Sequence, residues 1–343
     1  MDKQKLIELY DDFLPNAYII PILLLLASMA LLGFNYATTG DVIERDITLS
    51  GGVSVTVLAQ DADVDQLEQT LLEEFPSLSI QARELTEFGR QTGVIVEANV
   101  EQGDDELELF LQLIADQVNV SRDDLSVDTI AASLGTSFFI QTMKALWVAF
   151  VFMGAAVFLY FGDSTRKKIY LTTAALVTSI MVFTLDSFLL LLPLTLTIAL
   201  LTAYTYYSIP SMAVILAGFS TVVVTLAIMS VLGIELGTAS IAALLMLIGY
   251  SIDTDILLST RVIKERYGTL KQRIRDAMST GVVMTFSTLG AVSITYFFAQ
   301  STTLRQIMLV LIIGLIVDLV NTWLQNTSIL YHYKTTWRKK WRS

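Results

Sequence analysis

The sequence predicts a polytopic α-helical membrane protein of about eight spans with one extramembrane α+β domain. Three observations carry that prediction. The chain is 54% hydrophobic with a mean hydropathy of +0.62, a membrane composition. Its apolar runs are long enough to cross a bilayer, and short charged loops separate them. Only residues 41–137 are polar over the length of a domain; they hold 21 of the 33 acidic residues, four arginines (Arg45, Arg83, Arg90, Arg122) and no lysine.

The net charge of -11 argues against nucleic acid as a partner, and the absence of cysteine excludes a disulfide framework and thiolate metal sites. No metal site and no cofactor is implied. The acidic surface of 41–137 fits either an ordinary solvated face or a high-salt habitat, where screening relieves the repulsion between carboxylates.

Residues 1–40 comprise a short amphipathic N-terminus and a first span over Pro15–Tyr36, too long for a signal-peptide core and so read as uncleaved. Within 41–137, Ile47–Val57 reads as a strand interrupted at Gly51-Gly52. Val64, Leu67, Leu71 and Leu72 recur at helical spacing, and Leu78–Leu85 and Gly93–Val100 read as strands. Gly103-Asp-Asp opens a second helix with Leu107, Phe110, Leu111 and Ile114 on one face, and Leu125–Ala132 is the last strand. The order βαββαβ predicts a ferredoxin-like domain. It carries no catalytic constellation, so the chain is not read as an enzyme.

Residues 138–162 are a second span. Residues 163–208 form a hydrophobic hairpin entered through Arg166-Lys-Lys168, with Asp186-Ser187 as its turn. Residues 209–333 supply four more spans and a charged amphipathic segment, 261–276. Residues 334–343 are a basic tail. With both termini cytoplasmic, every basic cluster lies inside and the 41–137 domain lies outside, as the positive-inside rule requires. A single crossing in 169–207 would export the 261–275 cluster.

The stretch Gly249-Tyr-Ser-Ile-Asp-Thr-Asp255 places two carboxylates inside a span. Such residues are costly in a membrane and are functional by default. Asp253 lies about 12 Å inside the exit at Arg261, at 1.5 Å per residue. At about 100° per residue Asp253 and Asp255 point roughly 200° apart, so only one of them can face a given seam. Asp253, the deeper of the two, is the first choice for function.

On the last span Gly314, Asp318, Asn321 and Gln325 form a single stripe. On the preceding span Gly281, Thr285, Thr288 and Thr295 do likewise, and they predict close helix approach with hydrogen bonds between helices. Asp253, Asp255, Asp318 and Asn321 are therefore candidates for an ion or proton pathway. Gly249, Thr254, Gly281, Thr285, Thr288, Gly314 and Gln325 are candidates for packing around it. His332 reads as an interfacial residue.

Ile241–Val262, Arg273-Ile-Arg-Asp-Ala-Met278 with Gly281, and Ile313–Trp323 resemble the last three helical motifs of the SecF family of protein-export subunits, in its archaeal form. Ser50-Gly51-Gly52 and Ser133-Leu134-Gly135 are similar to the motifs that open and close that family's soluble domain. The resemblance implies six family spans of the resistance-nodulation-division type in the cytoplasmic membrane, pairing with SecD and a SecYE-type translocon, and unfolded exported proteins as clients. It also implies a proton-carrying Asp at the position of Thr254 and another at Thr221; both are threonines here. Residues 163–208 stand outside the resemblance, as an inserted hairpin. An ion-coupled exporter of small molecules or lipids from the same superfamily, and a non-coupled membrane assembly factor, are the alternative functions. An intramembrane aspartyl protease is disfavoured, because neither Asp253 nor Asp318 lies in a Gly-x-Gly-Asp setting.

Overall fold

The computed structural model describes residues 10, 12–59, 62–76, 78, 80–87, 90–100, 105–162, 164–185, 190–299 and 301–337. Helix α1 (Ile19–Thr39) carries Pro21 in its first turn, where a missing N–H leaves no bond unmade, and it ends at Gly40 in the left-handed region. The expected strand from Ile47 is corrected. Ile47–Ser50 is a helical turn, α2, because Asp46 caps it by accepting from the Thr48 N–H, and Gly51 at φ 81° stops it. Strand β1 (Gly52–Val57) begins only after that stop.

Helix α3 (Val64–Glu74) is capped by Asp63, which accepts from the Gln66 N–H. Strands β2 (Ile80–Glu87) and β3 (Arg90–Ala98), helix α4 (Asp105–Val118) and strand β4 (Leu125–Ile130) follow. The expected helix opening at Gly103-Asp104 lies outside the described residues. The four strands form one antiparallel sheet in the order β2-β3-β1-β4. Val53, Val55, Val57, Val94 and Val96 point to one face, where Leu67 and Leu71 of α3 and Phe110 and Ile114 of α4 bury them. β-Branched residues alternating on a half-buried face produce this arrangement.

Helix α5 (Ala132–Phe161) begins where the last strand was expected to continue. Its first turn lies directly on the entry to the sheet: a Cβ at Gly135 would come within 2.5 Å of the Gly51 backbone nitrogen. The Gly51-Gly52 and Ser133-Leu134-Gly135 motifs are thus two halves of one contact, though Ser133 and Leu134 themselves are exposed.

Helices α6 (Thr165–Thr184), α7 (Leu191–Tyr207), α8 (Ile209–Val231), α9 (Thr238–Ile263), α10 (Leu270–Phe298) and α11 (Thr302–Val320) complete the membrane part. The last continues through a π-helical turn, Asn321–Asn326, into α12 (Thr327–His332). Among the described residues six helical segments are long and apolar enough to cross a membrane: Leu14–Thr39, Ser133–Phe161, Ile209–Val231, Thr238–Ile263, Leu270–Phe298 and Thr302–Thr335. The two helices of the 163–208 segment fall outside these six. Helix α6 starts on Arg166-Lys-Lys168, and α7 has 17 residues, about 26 Å at 1.5 Å each against a hydrocarbon core of about 30 Å. The expected turn at Asp186-Ser187 lies outside the described residues.

The packing glycines divide. A Cβ at Gly314 would meet Leu247 of α9 at 2.3 Å, and one at Gly281 would meet Trp323 at 2.5 Å, so both permit close helix approach. Gly249 is exposed with nothing within 4 Å of a Cβ, which corrects its expected part in the packing. The threonines of α10 do not bond across helices as expected. Thr285, Thr288 and Thr295 each donate to a carbonyl one turn back in their own helix, which satisfies the hydroxyl without a partner helix.

The sheet domain sits on the loop between α8 and α9. Leu236 N–H donates to the Glu44 carbonyl at 2.7 Å, and Asp46 N–H donates to the Leu236 carbonyl at 3.2 Å. The helix-free face of the sheet brings Arg83 and Glu97 over Glu235. Arg83 lies 2.7 Å from Glu97 and 3.9 Å from Glu235, and Glu235 is 6% exposed. Burial first, then the neighbouring Glu97 carboxylate, push the Glu235 carboxyl from an ordinary 4.5 up to about 8, against the pull of Arg83.

Two predictions follow from these contacts. A carboxyl whose native pKa is raised contributes fully below its unfolded value and loses that contribution as pH rises toward the native one. Thermal stability in detergent should therefore fall between about pH 4.5 and 8, and Glu235→Gln should flatten that slope; an unchanged slope would remove Glu235 as its source. Separately, Gly314→Leu should lower stability by about 1–3 kcal/mol through overpacking against Leu247. Gly249→Leu, with open space around it, should leave the melting curve in place.

Candidate functional site

Three helices enclose a polar chamber in the membrane part. Helix α8 contributes Ser220, Thr221 and Thr225, and α9 contributes Ser251, Asp255 and Ser259. The last helix contributes Asp318, Asn321, Thr322, Gln325 and Asn326. Each of these residues is at most 1% exposed. The sequence brings them inward by helical spacing. On α9 the polar positions 251, 255 and 259 recur every four residues, one face of an α-helix. On the last helix Asp318, Thr322 and Asn326 recur every four residues, with Asn321 and Gln325 beside them, and all are buried along a stretch that includes the π turn Asn321–Asn326.

Hydrogen bonds tie the helices together through the two carboxylates. Asn326 Nδ2 donates to Asp255 Oδ1 at 2.6 Å. Thr221 Oγ1 donates to Asp318 Oδ1 at 3.5 Å, the outer limit of such a bond, and accepts from Asn321 Nδ2 at 3.0 Å. Thr322 lies beside both carboxylates. Asp255 Oδ2, Asn321 Oδ1, Asn326 Oδ1 and both polar atoms of Gln325 make no hydrogen bond with any described residue. None of the chamber residues is Lys, Arg or His. The buried Arg273 on α10 is engaged elsewhere, donating to the carbonyls of Val262 and Glu265.

This arrangement has a definite chemistry. Two carboxylates buried without a cation cost several kcal/mol each when ionised, and an orphaned buried polar atom costs about 1–3 kcal/mol. Ionising both leaves the cluster with unbalanced charge, and its unused oxygens are acceptors.

Of the predicted residues, Asp255, Asp318 and Asn321 are tied into this network by hydrogen bonds, and Gln325 is buried on the same helical turn as Asn321. Asp253, the sequence's first choice, is exposed on the opposite side of α9. Asp253 and Asp255 thus face different sides of α9, and Asp255 is the one that is buried. Thr254 is 5% exposed and packs against Gly281 rather than entering the chamber. Thr322, Asn326, Ser251 and Ser259 have no role in the sequence reading, and Thr221 enters it only as the position of a family Asp. The fourfold spacing of 251, 255 and 259 is visible in the sequence, and so is that of Asp318, Thr322 and Asn326. His332 lies outside the chamber, with Nε2 2.7 Å from the Pro15 carbonyl, fastening the last helix to the start of the first span.

Comparison with known proteins agrees with this architecture. Residues 182–336 match the family model of the protein export membrane protein SecD/SecF, C-terminal part. The chain is 32% identical to the protein-export membrane protein SecF of Methanocaldococcus jannaschii, over 94% of this chain and 96% of the relative. It is 32% identical to SecF of Methanolacinia petrolearia, over 92% of each chain, and 30% identical to SecF of Haloquadratum walsbyi, over 92% and 91%. The crystal structure of SecDF, a translocon-associated membrane protein from Thermus thermophilus, superposes with a TM-score of 0.60 at 20% identity. That match covers 94% of this chain but only 38% of the SecDF chain, and it shows a shared fold. With the archaeal relatives matched along almost their whole length, the chain belongs to the SecF family of protein-export membrane proteins.

Proposed function

We propose that this protein is an accessory subunit of protein export in the cytoplasmic membrane, acting beside a SecD partner at a SecYE-type translocon and drawing on an ion gradient. The observation that carries the coupling is the pair of enclosed carboxylates, Asp255 and Asp318, with no cation beside them. A site of that charge responds to proton or cation uptake, and the family fold supplies the setting. Asp253 supports the partner. A carboxylate exposed on the outer side of a membrane span is costly toward lipid, and a second helical half packed there would shelter it.

In this reading both termini are cytoplasmic and the sheet domain is extracytoplasmic. Its element order and its strand order β2-β3-β1-β4 are those of a ferredoxin-like sandwich, built to dock or handle unfolded exported chains. The α6–α7 pair makes two further crossings, eight in all, because two preserve the sidedness of every basic loop after them. The Gln306 side chain of α11 donates to the Glu235 carbonyl at 3.2 Å. The helix that carries Asp318 therefore also holds the loop beneath the sheet, which gives the chamber a mechanical route to the domain outside.

Sidedness is tested in this cysteine-free chain by Thr184→Cys, at the exposed end of α6. An impermeant thiol reagent applied from outside should label it; labelling only after the membrane is opened would overturn the eight-span arrangement. For coupling, Asp255→Asn and Asp318→Asn should each lower secretion of a reporter preprotein by on the order of tenfold, within the range of a typical coupling free energy, with SecD still copurifying. Asp253→Asn should instead weaken recovery of SecD. Normal secretion by the Asp255→Asn, Asp318→Asn double variant at normal protein levels would leave export assistance without ion coupling.

A further inference from the structure

A cavity lies where the α6–α7 pair meets the rest of the membrane part. It has a volume of about 310 Å³ and is walled by α5, α7 and α8, with Trp147, Gly154, Leu201, Tyr204, Ile215 and Phe219 among its lining. Its walls are almost entirely apolar. The Trp147 indole N–H is already given to Thr197 Oγ1 at 3.0 Å. A water molecule needs two or more polar partners, and these walls do not supply them, so the space stays dry in the absence of hydrocarbon. Phe219, at one side of the cavity, is 41% exposed on the outer surface of the helices. The cavity therefore borders the region where bilayer chains lie.

A polar feature adjoins one end. The Tyr204 ring is 2% exposed and its hydroxyl makes no hydrogen bond with any described residue. Less than one turn further along α7, the Tyr207 ring carries the Lys167 ammonium 4.0 Å from its centroid. Lys167 stands between Arg166 and Lys168 in the first turn of α6, which holds no acidic residue. Three cations at a helix N-terminus oppose the helix dipole, and an anion there relieves both. Among the described residues none of the three has a carboxylate partner.

We infer that α5, α7, α8 and the Arg166–Lys168 turn form a binding site for one anionic phospholipid, with a hydrocarbon chain in the cavity and the phosphate on the basic turn. A dry apolar slot accepts the chain of any lipid, and the basic turn selects the headgroup. The α6–α7 pair supplies both halves of the site: the basic turn opens α6, and Thr197, Leu201 and Tyr204 come from α7.

Trp147 is the reporter. The full chain and its Trp147→Phe variant are placed in bilayers of unlabelled phosphatidylcholine containing increasing fractions of brominated-chain lipid, either phosphatidylglycerol or phosphatidylcholine. The difference between the two proteins isolates quenching of Trp147. The expected result is half-maximal quenching at an on the order of tenfold lower mole fraction for the anionic lipid. Replacing the exposed turn by Arg166→Gln, Lys167→Gln and Lys168→Gln should abolish that preference while full quenching in wholly brominated bilayers persists, which shows the cavity intact. Leu201→Phe should fill the slot and reduce quenching by both lipids. Equal quenching by the two headgroups, a preference that survives the triple variant, or no quenching of Trp147 by either lipid would overturn the proposal.

Discussion

The membrane part is organised by one electrostatic constraint: two carboxylates are enclosed among helices with no cationic partner among the described residues. Asp255 and Asp318 are 0% and 1% exposed. A soluble core avoids such a pair or neutralises it with arginine. Here the surroundings are hydroxyls and amides, which stabilise a carboxyl in either state without cancelling its charge. The neighbouring features serve the enclosure. Gly314 lets α11 lie on Leu247 of α9, and Thr221 of α8 bridges Asp318 and Asn321. The π turn carries four buried polar side chains, Asn321, Thr322, Gln325 and Asn326.

The second constraint is mechanical. Helix α9 runs unbroken from Thr238 to Ile263. Its first N–H donates to Thr48 Oγ1 at 3.1 Å, just above the loop on which the sheet domain rests. Asp255 lies 17 residues further on, about 26 Å at 1.5 Å per residue. The last helix makes the parallel connection, from Gln306 at the loop to Asp318 in the chamber. Two stiff rods thus share the same two endpoints. A change in charge at the chamber that shifts one rod against the other is delivered at the joint beneath the sheet. The joint is itself charge-sensitive, because Glu235 is buried against Glu97 and Arg83.

The sequence reveals those parts of the molecule that depend on local pattern. The alternating valines and the helical spacing of Leu67, Leu71, Phe110 and Ile114 announce the βαββαβ order because the burial of one face is periodic. The stripe Gly314, Asp318, Asn321, Gln325 is legible for the same reason. Three features are not. Ile47–Thr-Leu-Ser50 has strand composition, but Asp46 and Gly51 turn it into a capped helical turn, so end chemistry overrides propensity. Asp253 and Asp255 are symmetric in one dimension, and only the packing of α8 and the last helix against α9 decides which faces in. Glu235 reads as a charged turn until the sheet, distant in sequence, covers it.

The threonine-rich face of α10 marks a limit on reading polarity as contact. A hydroxyl in a membrane helix has a carbonyl of its own helix within reach four residues back, and Thr285, Thr288 and Thr295 all use it. Their polarity is spent locally and says nothing about a neighbour. A carboxylate has no such local escape: an ionised Asp is an acceptor only, and a helix interior offers it no free backbone donor. Asp255, Asp318, Asn321 and Asn326 therefore find partners on other helices, in the bonds Asn326 to Asp255, Thr221 to Asp318 and Asn321 to Thr221. In a membrane span the informative residues are those whose polarity the helix cannot satisfy by itself, and in this chain those residues converge on the chamber.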